Sequence, residues 1–205
     1  MFEKGLAHDI GASLKLNFAA LFITLAITLV TSYIAILPIF QPIPFAISKG
    51  RFLGLMGLHV FFIQIFGLGF GLKVALLTFS TTVFYLTSMY TVVTEIPQNR
   101  FDYARALGLP RWQIVWQVVI RGTAGQMLEA FRQNAAIGWM MITAVEIIVR
   151  AGGVGVTLFE SYRYGRRGEL LAIIFCILVI GLIQDACLRG LQRVVTPHTV
   201  AAVRV

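Results

Sequence analysis

Three stretches in the first half of the chain carry no Asp, Glu, Lys or Arg. The first lies between Lys15 and Lys49, the second between Arg51 and Lys73, the third between Lys73 and Glu95. A helix needs about 20 residues at ~1.5 Å each to cross a ~30 Å hydrocarbon core, and each stretch is long enough. In lipid the backbone must satisfy its own hydrogen bonds, which leaves helices and closed barrels. Barrel strands alternate polar and apolar residues over ~10 positions, and these stretches do not. The pattern predicts helix 1 over 14–37, ended by Pro38, Pro42 and Pro44. Helix 2 follows over 52–70, a glycine-rich turn at FGLGFGLK (66–73), then helix 3 over 73–94. Helix 4 is predicted over 123–149 and helix 5 over 169–188. The polar stretch RAGGVGVTLFESYRYGRRGE (150–169) between them predicts a loop holding a short interfacial helix.

One segment breaks the apolar pattern. FDYARALGLPRWQIVWQVVI (101–120) has charges, a glycine, a proline and helix-spaced apolar residues. Pro97 suits a first helical turn, where a missing N–H costs nothing. A helix over about 97–107 places Phe101, Ala104 and Leu107 on one stripe. Gly108 stands where a helix ends in a left-handed residue, with Pro110 two residues beyond. A second short helix can start near Pro110, with Trp112, Val115 and Val119 on one face. The pattern alone leaves two readings open: an amphipathic loop lying in the membrane interface, or a docking element projecting from it.

Composition agrees with a membrane protein. Of 205 residues, 58% are hydrophobic and 13% charged, with a mean hydropathy of +0.84. A soluble domain sits nearer half apolar and a quarter charged, and the three uncharged stretches leave no polar face to meet water. The expected fold is an all-α integral membrane protein of about five transmembrane helices, a single domain over 1–205. The net charge of +8 suits anionic headgroups. The basic residues sit at segment ends without a basic–aromatic stripe, which argues against nucleic acid. Cys176 and Cys187 lie eleven residues apart, too far along one helix to bridge, and are expected to pack in the core. The N-terminal apolar run is too long for a signal peptide and is expected to remain as the first membrane helix. Five crossings put the hairpin and the C-terminus on one side. That side carries nine Lys and Arg against seven on the other, a bias toward a cytoplasmic hairpin by the positive-inside rule.

Asp102-Tyr103-Ala104-Arg105-Ala106-Leu107-Gly108, with Arg111-Trp112-Gln113 and Val118-Val119-Ile120, resembles the EAA loop of binding-protein-dependent ABC importer permeases. AFRQNAAIGWMMITAVEIIVRAGGVGVTL (130–158) and FGLGFGLKVALL (66–77) resemble the stretches that follow and precede that loop. The likeness covers about 50–195 and is nearest to the nitrate/sulfonate/taurine branch. It implies a type I importer permease core, with no catalytic residue, metal or cofactor on this chain and ATP on a partner. Asp102, Tyr103, Ala104, Arg105, Gly108, Arg111 and Trp112 would form the coupling helix that docks on cytoplasmic ABC ATPase subunits. A second permease subunit, most simply an identical one, and an extracytoplasmic solute-binding protein on the 150–169 side would complete the assembly. It would sit among lipid in the bacterial cytoplasmic (inner) membrane as a multi-pass protein, its C-terminus in the cytoplasm. The substrate implied is a small anion such as nitrate, a sulfonate or taurine. Three departures stand out: Asp102 replaces the usual Glu, Tyr103 the first Ala, and Ile120-Arg121 the closing Leu-Pro. The chain is also shorter than members of that branch by about one N-terminal helix.

Other polar residues are candidates for chemistry. Glu146, Trp139 and Arg132 are the pathway or gate candidates. Glu146 can line the outer end of a pathway or anchor a gate, or it can pair at the interface with Arg150 at i+4. Glu129 and Arg132, three apart, are expected to pair on one helix face. An ATP-independent channel or membrane-embedded enzyme centred on His59 or Glu146 is the alternative function. His59 stands among apolar residues with no second ligand nearby and reads as a helix–helix contact. The AGGVG turn lacks the lysine and spacing of a phosphate loop.

Overall fold

A computed structural model describes residues 2–34, 46–47, 49–52 and 55–195. Helix α1 spans Phe2–Ile34, a 3-10 turn spans Lys49–Phe52, and α2 spans Leu55–Phe66. Helix α3 is Phe70–Thr94, α4 is Gln98–Ala106 and α5 is Arg111–Ile114. A π-helical segment, Val115–Arg121, joins α5 to α6, Gly122–Val149. Helices α7, Val154–Arg163, and α8, Arg167–Val195, complete the order. The predicted proline bend at 38–44 lies outside the described residues.

The helices are where the uncharged stretches put them, with several corrections. Helix α1 starts at Phe2 rather than near 14, and its polar N-terminal part is held at Asp9 by Thr157 and at Ser13 by Glu146. Helix α2 is only 12 residues long, so it is too short to cross a bilayer alone. Its end is set by Gly67, at φ 67°. Three described helices are each long and apolar enough to cross, within Gly5–Ser32, Phe70–Thr94 and Arg167–Arg193. Trp112–Val149 and Val154–Arg163, bent by 67°, pass together as a broken fourth. Helix α8 runs past the predicted 188 to Val195.

Helices α1, α3 and α6 form the centre. One cluster joins Leu16 and Ala20 to Leu72, Leu76, Trp139 and Ile142. A second joins Leu21 to Tyr85, Met89, Met127 and Phe131. Of the apolar window of α3, 61% is buried, against 11% for α8. Helix α3 is therefore wrapped by neighbours, and α8 lies on the outside.

Helix α1 buries its polar stripe. Ser13, Asn17, Thr24, Thr28 and Ser32 face inward while Phe18, Phe22, Ile27 and Val30 face out. In lipid, apolar side chains gain little by turning inward, and small polar residues let backbones approach and hydrogen-bond. Thr24 and Thr81 share a 2.8 Å bond between α1 and α3. Gly138 of α6 closes the contact, since a Cβ there would touch Asn17 and Thr81 at 3.8 Å. The cysteines do not pack in the core: Cys176 is half-buried and Cys187 exposed, both free. Cys187 falls on the outward side of this peripheral helix, while Cys176 lies one turn from the buried Ile173.

Candidate functional site

The hairpin after α3 is built by its turn residues. Gly108, at φ 70°, ends α4. The Leu109 N–H bonds back to the Ala104 carbonyl at 3.2 Å and the Gly108 N–H to the Arg105 carbonyl at 2.9 Å. This paired pattern satisfies two carbonyls the helix end would orphan. Pro110 then starts the return limb, its carbonyl accepting from Gln113 and Ile114. The return limb is not a separate short helix, as the pattern suggests. It runs through the π-helical segment into α6. Ile120-Arg121 keeps the backbone donor that a proline would remove, so no break is imposed there.

Side chains on the hairpin divide sharply. Ala104 is buried and Val119 is buried beside the bundle. Tyr103 is 71% exposed, Leu107 77% and Trp112 66%. The expected stripe of Phe101, Ala104 and Leu107 therefore splits, with Ala104 inward and Leu107 outward. Asp102 and Arg105 pair at 3.2 Å on the exposed side. The side chain of Arg111 lies outside the described structure. The exposed aromatic and leucine side chains thus share the hairpin's exposed side with the Asp102–Arg105 ion pair.

Arg132, Trp139 and Glu146 are spaced by seven along α6, close to two turns each, so they share one face about 10.5 Å apart. The structure does not bring them to one site. Arg132 and Trp139 join α6 to α8 at separate levels, and Glu146 joins it to α1 and the following loop. Arg132 grips Glu129 through Nε at 3.2 Å and Nη2 at 2.5 Å, and reaches Asp185 of α8 through Nη1 at 2.6 Å. Arg189 holds the other Asp185 oxygen at 2.6 Å. Trp139 is buried, its Nε1 donating to Gln184 at 2.9 Å, and Asn17 donates to the same oxygen at 2.5 Å.

Glu146 is 1% exposed and, among the described residues, pairs with no arginine. Ser13 donates to Oε1 at 2.6 Å, and the Gly155 N–H donates to Oε2 at 2.8 Å. The Ser13 hydroxyl also accepts from the Val154 N–H at 3.0 Å. Arg150 instead lies over the Phe159 ring at 5.3 Å, because its own backbone turns left-handed, φ 51°, at the end of α6. Lys73, 5% exposed, donates to the carbonyls of Ala151 and Gly152 at 2.9 and 2.5 Å. Thr157 donates to Asp9 at 2.6 Å. The loop at 150–157 is thus pinned to α1, α3 and α6 by side chains that satisfy its backbone. Lys73, Ser13, Asn17 and Gln184 escaped the sequence reading. A lysine just inside an apolar helix, and polar residues recurring at spacings of four and seven on α1, were the available signals.

A cleft of about 960 Å³ opens near the hairpin end of the bundle, lined from α3, α6 and α8. Thr87, Ser88, Gln126, Arg132, Arg189 and Arg193 are among its walls. Among the described residues no group of three or more His, Cys, Asp or Glu is placed to hold a metal.

An all-helical bundle with outward apolar faces and a projecting polar hairpin defines a multi-span membrane component. Residues 10–200 match the family described as "Binding-protein-dependent transport system inner membrane component". The chain belongs to that family. It is 29% identical over 132 residues to the taurine transport system permease protein of Escherichia coli (strain K12), covering 64% of this chain and 48% of that one. It is 23% identical over 125 residues to a nitrate import permease protein of Synechococcus elongatus, covering 56% and 45%. A bicarbonate transport system permease protein of Synechocystis matches at 23% over 123 residues, covering 56% and 44%. The chain thus spans a little under half the length of these relatives. Among solved structures, an inward-facing MetNI methionine ABC transporter matches with a TM-score of 0.78 at 18% identity, covering 95% of this chain and 98% of that one. An amino acid ABC transporter matches with a TM-score of 0.76 at 15% identity, covering 94% of each chain. These last two show the shared fold.

Proposed function

We propose that this chain is the membrane-spanning subunit of an ATP-driven importer, working as one unit with the hairpin at 97–120 as its coupling element. Two copies would enclose a pathway between them. Cytoplasmic ATPase subunits would bind the ATP and dock on the hairpins, with the C-terminus on the same side. A solute-binding protein would meet the pinned 150–169 side. The relatives named for taurine, nitrate and bicarbonate support a small anion as substrate. The observation that carries the reading is the hairpin itself: Tyr103, Leu107 and Trp112 stand exposed on a turn fixed by Gly108. Glu146 and Lys73 then act as anchors of the outer loop rather than as pathway groups, since both are spent on hydrogen bonds. For the same reason a channel or enzyme centred on Glu146 draws little support.

The test is Gly108→Asp in the reconstituted transporter. Aspartate is among the few L residues that visit the left-handed region, so the change mainly puts a negative side chain on the exposed turn. Transport should fall at least tenfold while the protein stays in the membrane and the partner retains ATP hydrolysis. Undiminished transport would remove the docking role. Trp112→Ala should weaken recovery of the ATPase with the permease in detergent, without lowering its membrane abundance.

A further inference from the structure

We propose that the cleft between α3, α6 and α8 is an oxyanion site for the transported solute on the hairpin side of the pathway. The proposal rests on the importer reading and adds a place where the anion stands inside this subunit.

The location follows from the chain. Thr91 lies one turn before the end of α3, where the hairpin departs, and Gly125 lies one turn into α6, where it returns. The volume of about 960 Å³ is at the upper end for small-molecule sites. It holds a small anion with part of its water, as a station on a path requires. An adjoining recess is lined by Asp185, Arg189 and Arg193.

Charge decides the ligand. Around the cleft stand Arg132, Arg189 and Arg193 against Glu129 and Asp185, three positive and two negative, a net of +1. The two carboxylates are already engaged by Arg132 and Arg189. Arg193 has no carboxylate within ion-pair distance among the described residues, and the Gln126 amide lines the same space. A cation would meet the excess positive charge. An oxyanion meets Arg193 and donor groups first. Guanidinium matches planar and tetrahedral oxyanions with paired N–H groups. The entering anion then competes with Asp185 for Arg132 and Arg189. Asp185 belongs to α8 and Arg132 to α6, so anion entry exchanges a helix–helix ion pair for an anion–helix one.

Cysteine protection tests this in the purified permease–ATPase complex, in nanodiscs of zwitterionic lipid. With Cys176 and Cys187 changed to Ser, a Val92→Cys variant, on the cleft wall but without a donor to lose, is labelled by a membrane-impermeant maleimide, with Tyr164→Cys as control. Nitrate or taurine should slow labelling at position 92 at least threefold and leave position 164 unchanged. Chloride and choline at equal ionic strength should not protect. Arg193→Gln should abolish protection. Asp185→Asn, which releases Arg132 and Arg189, should give half-protection at a concentration at least threefold lower. Absence of protection, equal protection by chloride, or protection surviving Arg193→Gln overturns the site. So does protection that needs only phosphatidylglycerol in the disc and no solute, which assigns the cleft to a lipid headgroup. ATPase stimulation by the cognate binding protein, measured in the same discs, tests the importer reading separately: it persists if only the site fails and is absent if that reading fails.

Discussion

Glu146 owes its position to what it accepts. Its two oxygens take the Ser13 hydroxyl and the Gly155 N–H, so the carboxylate does for the loop what an N-cap does for a helix. Glu146→Ala leaves both donors buried without a partner, at about 1–3 kcal/mol each. The expected outcome is a clear fall in the unfolding temperature of the detergent-purified protein, with Glu146→Gln less affected because its amide keeps one acceptor oxygen. The neighbouring glycines separate two kinds of constraint. Gly152, at φ 83°, has open space where a Cβ would go, while Gly153, at φ 106°, would drive one into the Glu146 carboxylate. Gly152→Ala should lose only the backbone cost of about 1–2 kcal/mol. Gly153→Ala should lose more, because the same strain is joined by displacement of the carboxylate. Thermal unfolding of the pair in one detergent checks the order.

At the scale of the helix, the seam of α1, α3 and α6 depends on smallness more than on polarity. Hydrogen bonds between membrane helices contribute about 0.6 kcal/mol on average, so Thr24→Val should cost under about 1 kcal/mol despite breaking the Thr24–Thr81 bond. Gly138→Leu puts a branched side chain against Asn17 and Thr81, and overpacking of this kind costs typically 1–3 kcal/mol. Comparing the two by unfolding midpoint distinguishes packing from bonding. The ion pair between α6 and α8 allows a sharper measurement. A double-mutant cycle on Arg132 and Asp185, 2.6 Å apart, should give a coupling of about 0.5–3 kcal/mol. A value near zero would mean that the pair does not join the helices.

For the whole molecule, much of the architecture was legible because lipid imposes one rule, that uncharged length becomes helix. Helix α3 and the hairpin turn follow from Lys73–Glu95 and Gly108-Leu-Pro110 almost residue for residue. What the pattern could not show was which faces meet. A hydropathy reading sends Phe18 and Phe22 inward and Ser13 and Asn17 outward, and the structure does the reverse. Glu146 was visible as an ionisable group in a membrane helix, but its partners lie 133 residues upstream and nine downstream, beyond an i+4 search. The π-helical segment was equally hidden, since no residue type announces it. Yet it fixes how the molecule is aimed. A π turn takes one residue more than an α turn, so between the hairpin and α6 an extra residue is absorbed locally and the heading of one against the other is kept. Deleting Gln117 would leave every docking side chain and every ion pair of α6 chemically intact. It would also let the wide turn close to ordinary α-helical spacing, so the exposed Tyr103–Trp112 face should stay near its present bearing, and homologues one residue shorter between Pro110 and Gly122 should carry an unbroken α-helix there.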